Sequence, residues 1–125
     1  MNQPIIYIDT SKILDGKLEQ LKASMIKLKT FVENKMPRLK SYAFYLNESE
    51  TEMIVVAVHP DSASLEYHLN MGNEQFKKFS EFIELLKIEV YGKVNEAVLE
   101  KLYKKAEMLG KGTIEVNNLY KGFSR

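Results

Sequence analysis

Cysteine and tryptophan are both absent from this chain of 125 residues, and histidine occurs only twice. Without cysteine the protein has no disulfide, no thiolate nucleophile and no cysteine-based metal site. The two histidines, His59 and His68, stand out because histidine is the side chain that ordinarily changes charge near neutral pH. They lie at the two ends of one connection from a strand to a helix, which begins at Pro60 and Asp61.

Long hydrophobic runs and an excess of one charge are also missing. No apolar run approaches the roughly 20 residues of a membrane span, and the N-terminus does not resemble a signal peptide, so we expect a cytoplasmic protein with no membrane partner. The net charge is +1, from 18 basic and 17 acidic residues. The densest basic segment, Lys101 to Lys105, lies beside Glu96, Glu100 and Glu107. It is typical of a solvated helix face, and we predict no nucleic-acid partner.

Periodic hydrophobicity predicts the first half of the chain. Residues 5–9 form a strand, and a helix follows because apolar residues recur at steps of three and four. Asp15 is its expected cap, and Pro37 forbids its continuation. Strands are predicted at 39–47 and 52–59. The apolar positions of the helix are Leu14, Leu18, Leu21, Met25, Leu28 and Val32.

The second half begins with a helical segment from Ser62 to Phe82 that we expect to be interrupted near Gly72 and Asn73. A fourth strand carries Leu86, Ile88 and Val90. Asn95 is the expected cap of another helix, which Gly110 should end with a positive φ. A short strand at 113–117 completes the chain. The apolar stripe of this last helix comprises Val98, Leu102, Ala106 and Leu109.

The order β-α-β-β-α-β, followed by α-β, indicates an α+β protein with the ferredoxin-like arrangement, in which helices cover one face of an antiparallel sheet. We predict one domain over 1–125, with a core at 1–94 and an αβ extension at 95–125. The helices should cover an aliphatic face. The other face should be mixed and should meet a second copy, so a homodimer is expected. That mixed face comprises Tyr7, Asp9, Ser41, Tyr45, Ala57, His59, Lys87, Glu89 and Tyr91.

Three segments carry a family resemblance: the strand Val-Ala-Val-His59-Pro-Asp, the helix Ser64-Leu-Glu-Tyr67-His68-Leu69, and Phe76-Lys-Lys-Phe79. In this order they resemble the dimeric α+β barrel superfamily, and within it the antibiotic-biosynthesis-monooxygenase-like proteins. The resemblance covers about residues 3–94. It implies a homodimer that binds a small apolar or aromatic molecule and oxidises quinols or related aromatics without a cofactor. Only His68 matches the motif histidine, and the tryptophan common in such pockets is missing.

Each candidate residue keeps two interpretations. His68 is either a general base toward a phenolic substrate or a structural histidine, and His59 is either part of a ligand site or a cap for the next helix. Tyr7, Tyr45, Tyr67 and Tyr91 either line a ligand pocket or pack at the dimer interface. Two histidines without a metal-binding spacing predict no metal. The leading hypothesis is a cofactor-free monooxygenase, and the alternative is a non-catalytic ligand-binding or interaction module.

Overall fold

The structure, a computed structural model, describes residues 3–125, so the first two residues of the predicted domain lie outside it. The predicted order of elements and the ferredoxin-like α+β class are confirmed. The elements are β1 (Ile5–Ile13), α1 (Leu18–Lys35), β2 (Ser41–Leu46), β3 (Glu52–His59), α2 (Ser62–Lys77) with a 3₁₀ turn (Lys78–Glu81), β4 (Ile83–Tyr91), α3 (Glu96–Leu109) and β5 (Thr113–Asn117).

One five-stranded sheet has the order β2-β3-β1-β4-β5. The first four strands are antiparallel, and β5 adds to the free edge of β4 in parallel. The C-terminal strand therefore finds its ladder partner within its own chain. Strand β1 lies at the centre of the sheet, where both of its edges are paired and its side chains alternate between the two faces.

The faces of β1 and β3 are inverted relative to the sequence prediction. Tyr7, Asp9 and His59 are buried beneath the helices, and so is Ala57. The other face, which no helix covers, carries the aliphatic residues that we had expected to be covered: Ile6, Ile8, Ile54, Val56 and Val58. The prediction of a mixed open face is therefore wrong for these two strands. Alternation could not decide their orientation because each strand has apolar residues on both sides.

In β2 and β4, the residues predicted for the open face of the sheet do lie on that face. Tyr45 and Tyr91 are 55% and 39% exposed. In β4 an irregularity in the pairing sets Thr10 against Lys87 but Ser11 against Leu85, so Leu86 is an extra residue in a β-bulge. Leu86 therefore points away from the helices, contrary to the prediction, and is 40% exposed.

Helix α2 runs without a break through Gly72, so the interruption predicted there is wrong. Gly72 is buried, and a Cβ atom added to it would lie 2.3 Å from the ring of Phe76. The glycine therefore makes room for the Phe76 ring, one turn later on the same helix, and does not end the helix. Below it, Phe76 and Phe79 are both buried in the core.

The helix ends test the predicted caps. Asn95 caps α3 as predicted, since its side chain accepts a hydrogen bond from the backbone N–H of Val98 at 2.9 Å. Gly110 ends that helix with φ of +124°, also as predicted. Asp15 is not the cap of α1, because the helix begins at Leu18 and Lys17 precedes it. Within residues 3–125, no helix is long and apolar enough to cross a membrane.

Helix α3 packs on α2 and β4, and its buried residues join the same core as those of α1, α2, β1, β3 and β4. A chain that ends at Gly92 should therefore lose most of its thermal stability, because the core would lose the whole stripe of α3. The matched control ends at Asn118 and removes only the tail, in which Tyr120 and Phe123 are 89% and 80% exposed. Thermal unfolding followed by circular dichroism measures both. An unchanged melting temperature in the shorter chain would contradict this prediction.

Candidate active site

A chain of buried hydrogen bonds joins helix α3 to the central strand. The Nζ atom of Lys105 donates to the hydroxyl of Tyr7 at 2.7 Å, and that hydroxyl donates to Oδ2 of Asp9 at 2.6 Å. Nζ also lies 3.5 Å from the same carboxylate oxygen. The ammonium sits 4.0 Å from the centre of the Phe76 ring, a cation–π contact. All three polar residues are almost completely buried.

Simple periodicity places these groups together. Tyr7 and Asp9 are two residues apart on β1 and so share one face. Lys105 completes the buried stripe of α3, because Val98, Leu102, Lys105 and Leu109 follow at steps of four, three and four. We had interpreted Lys105 as part of a solvated helix face, and that interpretation is wrong. The signal that identifies it is a lysine at an apolar position of the stripe.

Burial governs the acid–base properties of the cluster. It raises the pKa of the Tyr7 phenol well above its ordinary value, and the charge of Asp9 adds to this effect. It lowers the pKa of Lys105, and the nearby carboxylate opposes that change. Because Asp9 and Lys105 compensate each other, the cluster can keep opposite charges within a low-dielectric site. Tyr7 bridges them and can relay a proton.

Beside this cluster lies a cavity of about 20 Å³, which is room for about one water molecule. Its polar lining comes from Asp9, Ser11, Tyr42 and Lys105. The Oγ atom of Ser11 is buried without a hydrogen-bond partner among the described residues. The remaining walls are apolar: Leu28, Phe44, Met53, Val55, Phe76, Phe79, Ile83 and Leu109. A few polar groups in an apolar enclosure are typical of small-molecule sites.

His59 lies in the core at the end of β3. Its Nδ1 atom is 2.9 Å from the hydroxyl of Ser64, one turn into α2. Asp61 is the side chain that caps this helix, since it accepts from the backbone N–H of Ser64. Burial, helped by the charge of Lys105, lowers the pKa of His59 to about 4. The imidazole is therefore neutral at pH 7.

His68 lies on α2 with its ring centre 5.4 Å from that of His59. Its Nδ1 atom contacts Sδ of Met36 at 2.9 Å, and its ring also packs against Tyr42 and Phe76, both of which line the cavity. Burial lowers the pKa of His68 well below its ordinary value. Its Nε2 atom is buried and has no partner among residues 3–125. His68 itself is not part of the cavity lining, so its catalytic role stays a prediction.

The predicted tyrosines do not form one site. Only Tyr7 belongs to the buried cluster. Tyr45 and Tyr91 lie on the open face of the sheet, where the Tyr91 hydroxyl donates to Glu89 at 2.9 Å. Tyr67 is on the surface of α2, with its hydroxyl 3.4 Å from the carbonyl oxygen of Lys35. Tyr42 was missed as a candidate because its alternation with Phe44 marked it as core.

Metal-ligating side chains do not converge anywhere in the described part of the chain. Across residues 3–125, no group of three or more histidines and carboxylates is placed to hold a metal ion. His59 and His68 are close, but the nearest polar neighbours of their ring nitrogens are a serine hydroxyl and a thioether. The polar chemistry of the site is therefore that of an amine, a phenol and a carboxylate.

Comparison with solved structures shows proteins of similar fold. MupZ from Pseudomonas fluorescens superposes with a TM-score of 0.76 at 24% identity, over 100% of this chain and 91% of MupZ. Rv0793 from Mycobacterium tuberculosis has a TM-score of 0.64 at 15% identity, over 76% and 99%. A protein of Chloroflexus aurantiacus named "putative antibiotic biosynthesis monooxygenase" has a TM-score of 0.59 at 14% identity, over 70% and 90%. No protein-family profile and no curated sequence matches the chain.

The chain has the fold of the antibiotic-biosynthesis-monooxygenase-like proteins. The resemblance seen in the sequence is therefore confirmed at the level of fold. The match to MupZ also extends over the whole chain, so it includes the helix that carries Lys105 and the strand that follows. At these identities the likeness shows the fold and does not decide the reaction.

The buried histidines should make stability depend on pH. The folded pKa of His59 is about 4 against an ordinary value of 6.5, so below pH 6.5 the unfolded chain binds a proton that the folded protein refuses. Protonation of His59 therefore does not lower the free energy of unfolding above pH 6.5, but it lowers that free energy by roughly 3 kcal/mol as the pH falls to 4. Urea unfolding at pH 7.5 and 4.5 should show a smaller fall for His59→Gln than for the wild type. Equal falls would exclude this role.

Proposed function

We propose that this protein is a cofactor-free monooxygenase-type enzyme that acts on a small aromatic or quinol-type molecule. The observation that carries the proposal is the buried Lys105–Tyr7–Asp9 hydrogen-bond chain beside an otherwise apolar cavity. A carboxylate and an ammonium are buried together here, and removing both charges from water costs free energy. Apolar residues could fill the same space without that cost, so the pair is a candidate for a functional role. The fold it shares with proteins that carry the name "putative antibiotic biosynthesis monooxygenase" supports the same class of reaction.

The proposed chemistry needs only the side chains of this chain. Asp9 accepts a proton from the activated phenol, directly or through Tyr7, and the ammonium of Lys105 stabilises the resulting anion. The apolar walls exclude water and strengthen that interaction. The electron-rich anion then reacts with dioxygen. In an anthrone, the methylene group loses two hydrogens, one oxygen atom becomes the new carbonyl, and the other leaves as water.

His68 is the second candidate for the proton acceptor. Its ring contacts Tyr42 and Phe76 in the cavity wall, and its Nε2 atom has no hydrogen-bond partner among residues 3–125. It can serve as the base only for a substrate that displaces one of these rings. We therefore rank it behind Asp9 as the proton acceptor.

A non-catalytic binding module is the second candidate, and the size of the cavity favours it. Sites for drug-sized ligands have volumes of roughly 300–1,000 Å³, whereas this cavity has about 20 Å³. Substrate would have to open the cavity before it reached the cluster. A ligand that is only bound need not reach the cluster, so a binding module does not depend on this opening.

Oxygen uptake separates the two candidates. With anthrones and quinols as substrates, we expect the wild type to exceed a buffer blank and Asp9→Asn to lose activity by about 100-fold, the usual effect of losing an acid–base group. The paired variant Asp9→Asn with Lys105→Met removes both charges, so it should stay folded where an unpaired buried ammonium would destabilise the protein, and it should also be inactive. His68→Ala should retain more activity than either.

A fold check accompanies each variant, and Tyr103→Phe on the exposed side of α3 is the matched control. Equal oxygen uptake by the wild type, the folded paired variant and the blank would leave the binding module as the better explanation. If His68→Ala alone were inactive, the proton acceptor would be His68 and not Asp9.

We also propose that the protein is a homodimer that buries the open face of its sheet. This face is apolar at its centre, where Ile8 pairs with Val56, and exposed apolar side chains such as Tyr45 surround it. A patch of this kind is unusual on a monomer. Its composition differs from the mixed face that we expected, but it supports the same partner, a second copy of the chain.

Val56→Lys should convert the dimer to a monomer, because a charge at the centre of an apolar interface would be buried without a partner. Ile26→Lys is the control, since Ile26 is 68% exposed on α1. Multi-angle light scattering at micromolar concentration measures both. A wild-type mass of one chain would contradict the proposed dimer.

A further inference from the structure

A second depression lies on the surface directly outside the cavity. It is a groove of about 220 Å³ formed by the C-terminal half of α1, the connection after it and the beginning of β2. Its floor is apolar, from Val32, Met36, Leu39 and Tyr42, and its rim is charged, from Lys29, Glu33 and Lys40. The proposed reaction does not use it, although its volume suits a ligand smaller than a drug.

Tyr42 is the residue that the groove and the cavity share. Its ring packs edge-on against Phe44, with 5.4 Å between the ring centres, and at a tilt against His68, with 5.3 Å between the centres. Burial raises its pKa well above the ordinary value, and the charge of Asp9 adds to this, so the hydroxyl stays protonated. No hydrogen bond within residues 3–125 holds that hydroxyl in place, so rotation of the side chain breaks none.

The charges on the rim are not equivalent. Lys29 is paired with Glu33 at 2.9 Å, whereas Lys40 has no carboxylate partner in the described part of the chain. Lys40 directly precedes β2 and Tyr42 is the second residue of that strand, and both side chains line the groove. The groove therefore offers an aromatic and thioether floor with one unpaired ammonium beside it. That combination suits a flat aromatic ring that carries an anionic group.

We propose that this groove is the outer binding subsite and entrance for an aromatic carboxylic acid, with the ring on Tyr42 and Met36, the carboxylate on Lys40, and Tyr42 as the gate to the cavity. The assignment of the reacting groups rests on the proposed function, but binding in the groove does not require turnover. Rotation of Tyr42 joins the groove to the cavity that Asp9 and Lys105 line. It also explains how so small a cavity can receive an aromatic substrate.

Binding of 1-naphthoate, followed by its fluorescence, tests the recognition step. Lys40→Met should weaken binding by about threefold to fivefold, the size of an exposed ion pair, and added salt should weaken the wild type similarly. Lys27→Met, elsewhere on α1, is the matched control and should bind as the wild type does. The neutral analogue 1-naphthalenemethanol should bind all three proteins equally. Equal affinity of the wild type and Lys40→Met for naphthoate would overturn this subsite.

The gate is tested by the reactivity of Lys105, read by mass spectrometry after reductive methylation with formaldehyde and cyanoborohydride. Tyr42→Ala should speed methylation of Lys105 by at least about tenfold. A tenfold increase corresponds to a decrease of about 1.4 kcal/mol in the free energy of the opening that exposes Lys105. Tyr42→Leu should give a smaller increase, and saturating naphthoate should slow the reaction in the wild type. Phe44→Leu is the control, because Phe44 lines only the cavity.

The outcomes of the methylation experiment bear on the gate alone. If Lys105 is methylated no faster in folded Tyr42→Ala than in the wild type, or if Phe44→Leu gives the same acceleration, Tyr42 is not the gate. Neither assay measures oxygen consumption. A protein that binds naphthoate through Lys40 but consumes no oxygen would keep the subsite and remove the proposed reaction.

Discussion

The rest of the structure depends on the ammonium of Lys105, buried between helix α3 and the central strand. A buried lysine is stable only with partners, and Tyr7 and Asp9 supply them through one continuous chain of hydrogen bonds. The interaction ties a helix in the last quarter of the chain to the first strand, 96 positions away from Asp9. Together with the apolar stripe of α3 it joins the αβ extension to the common core, and it brings opposite charges beside the cavity.

The same pair explains why the orientation of β1 escaped prediction. Alternation on this strand offers two half-apolar faces, and local sequence alone favours the aliphatic one as the core face. Asp9 can face the core because Lys105 neutralises it, and His59 can do so because Ser64 bonds to it. Both partners come from elements that follow later in the chain, so the decision rests on tertiary contacts that a single strand does not contain.

Other features could be predicted because their causes are local. The spacing of apolar residues predicted α1 and α3, Asn95 and Gly110 marked the ends of α3, and the order of elements led to the ferredoxin-like class. Gly72 misled the prediction because its role is to admit the Phe76 ring, a packing demand that resembles a helix stop in sequence. For the site, His59 and His68 were recognised by rarity. Lys105 and Tyr42 were hidden, one by a charge and one by an ordinary core pattern.

The two faces of β1 separate association from chemistry. Tyr7 and Asp9 point toward the helices, while Ile6 and Ile8 point toward the open face where we place the second copy. Because the pleat alternates these residues along one strand, the interface and the cavity lie back to back, and neither interrupts the other. A change on the open face therefore reaches the cluster through the backbone of the sheet, in β1 and in its neighbours. The backbone of β1 is paired along both edges, with β3 on one side and β4 on the other.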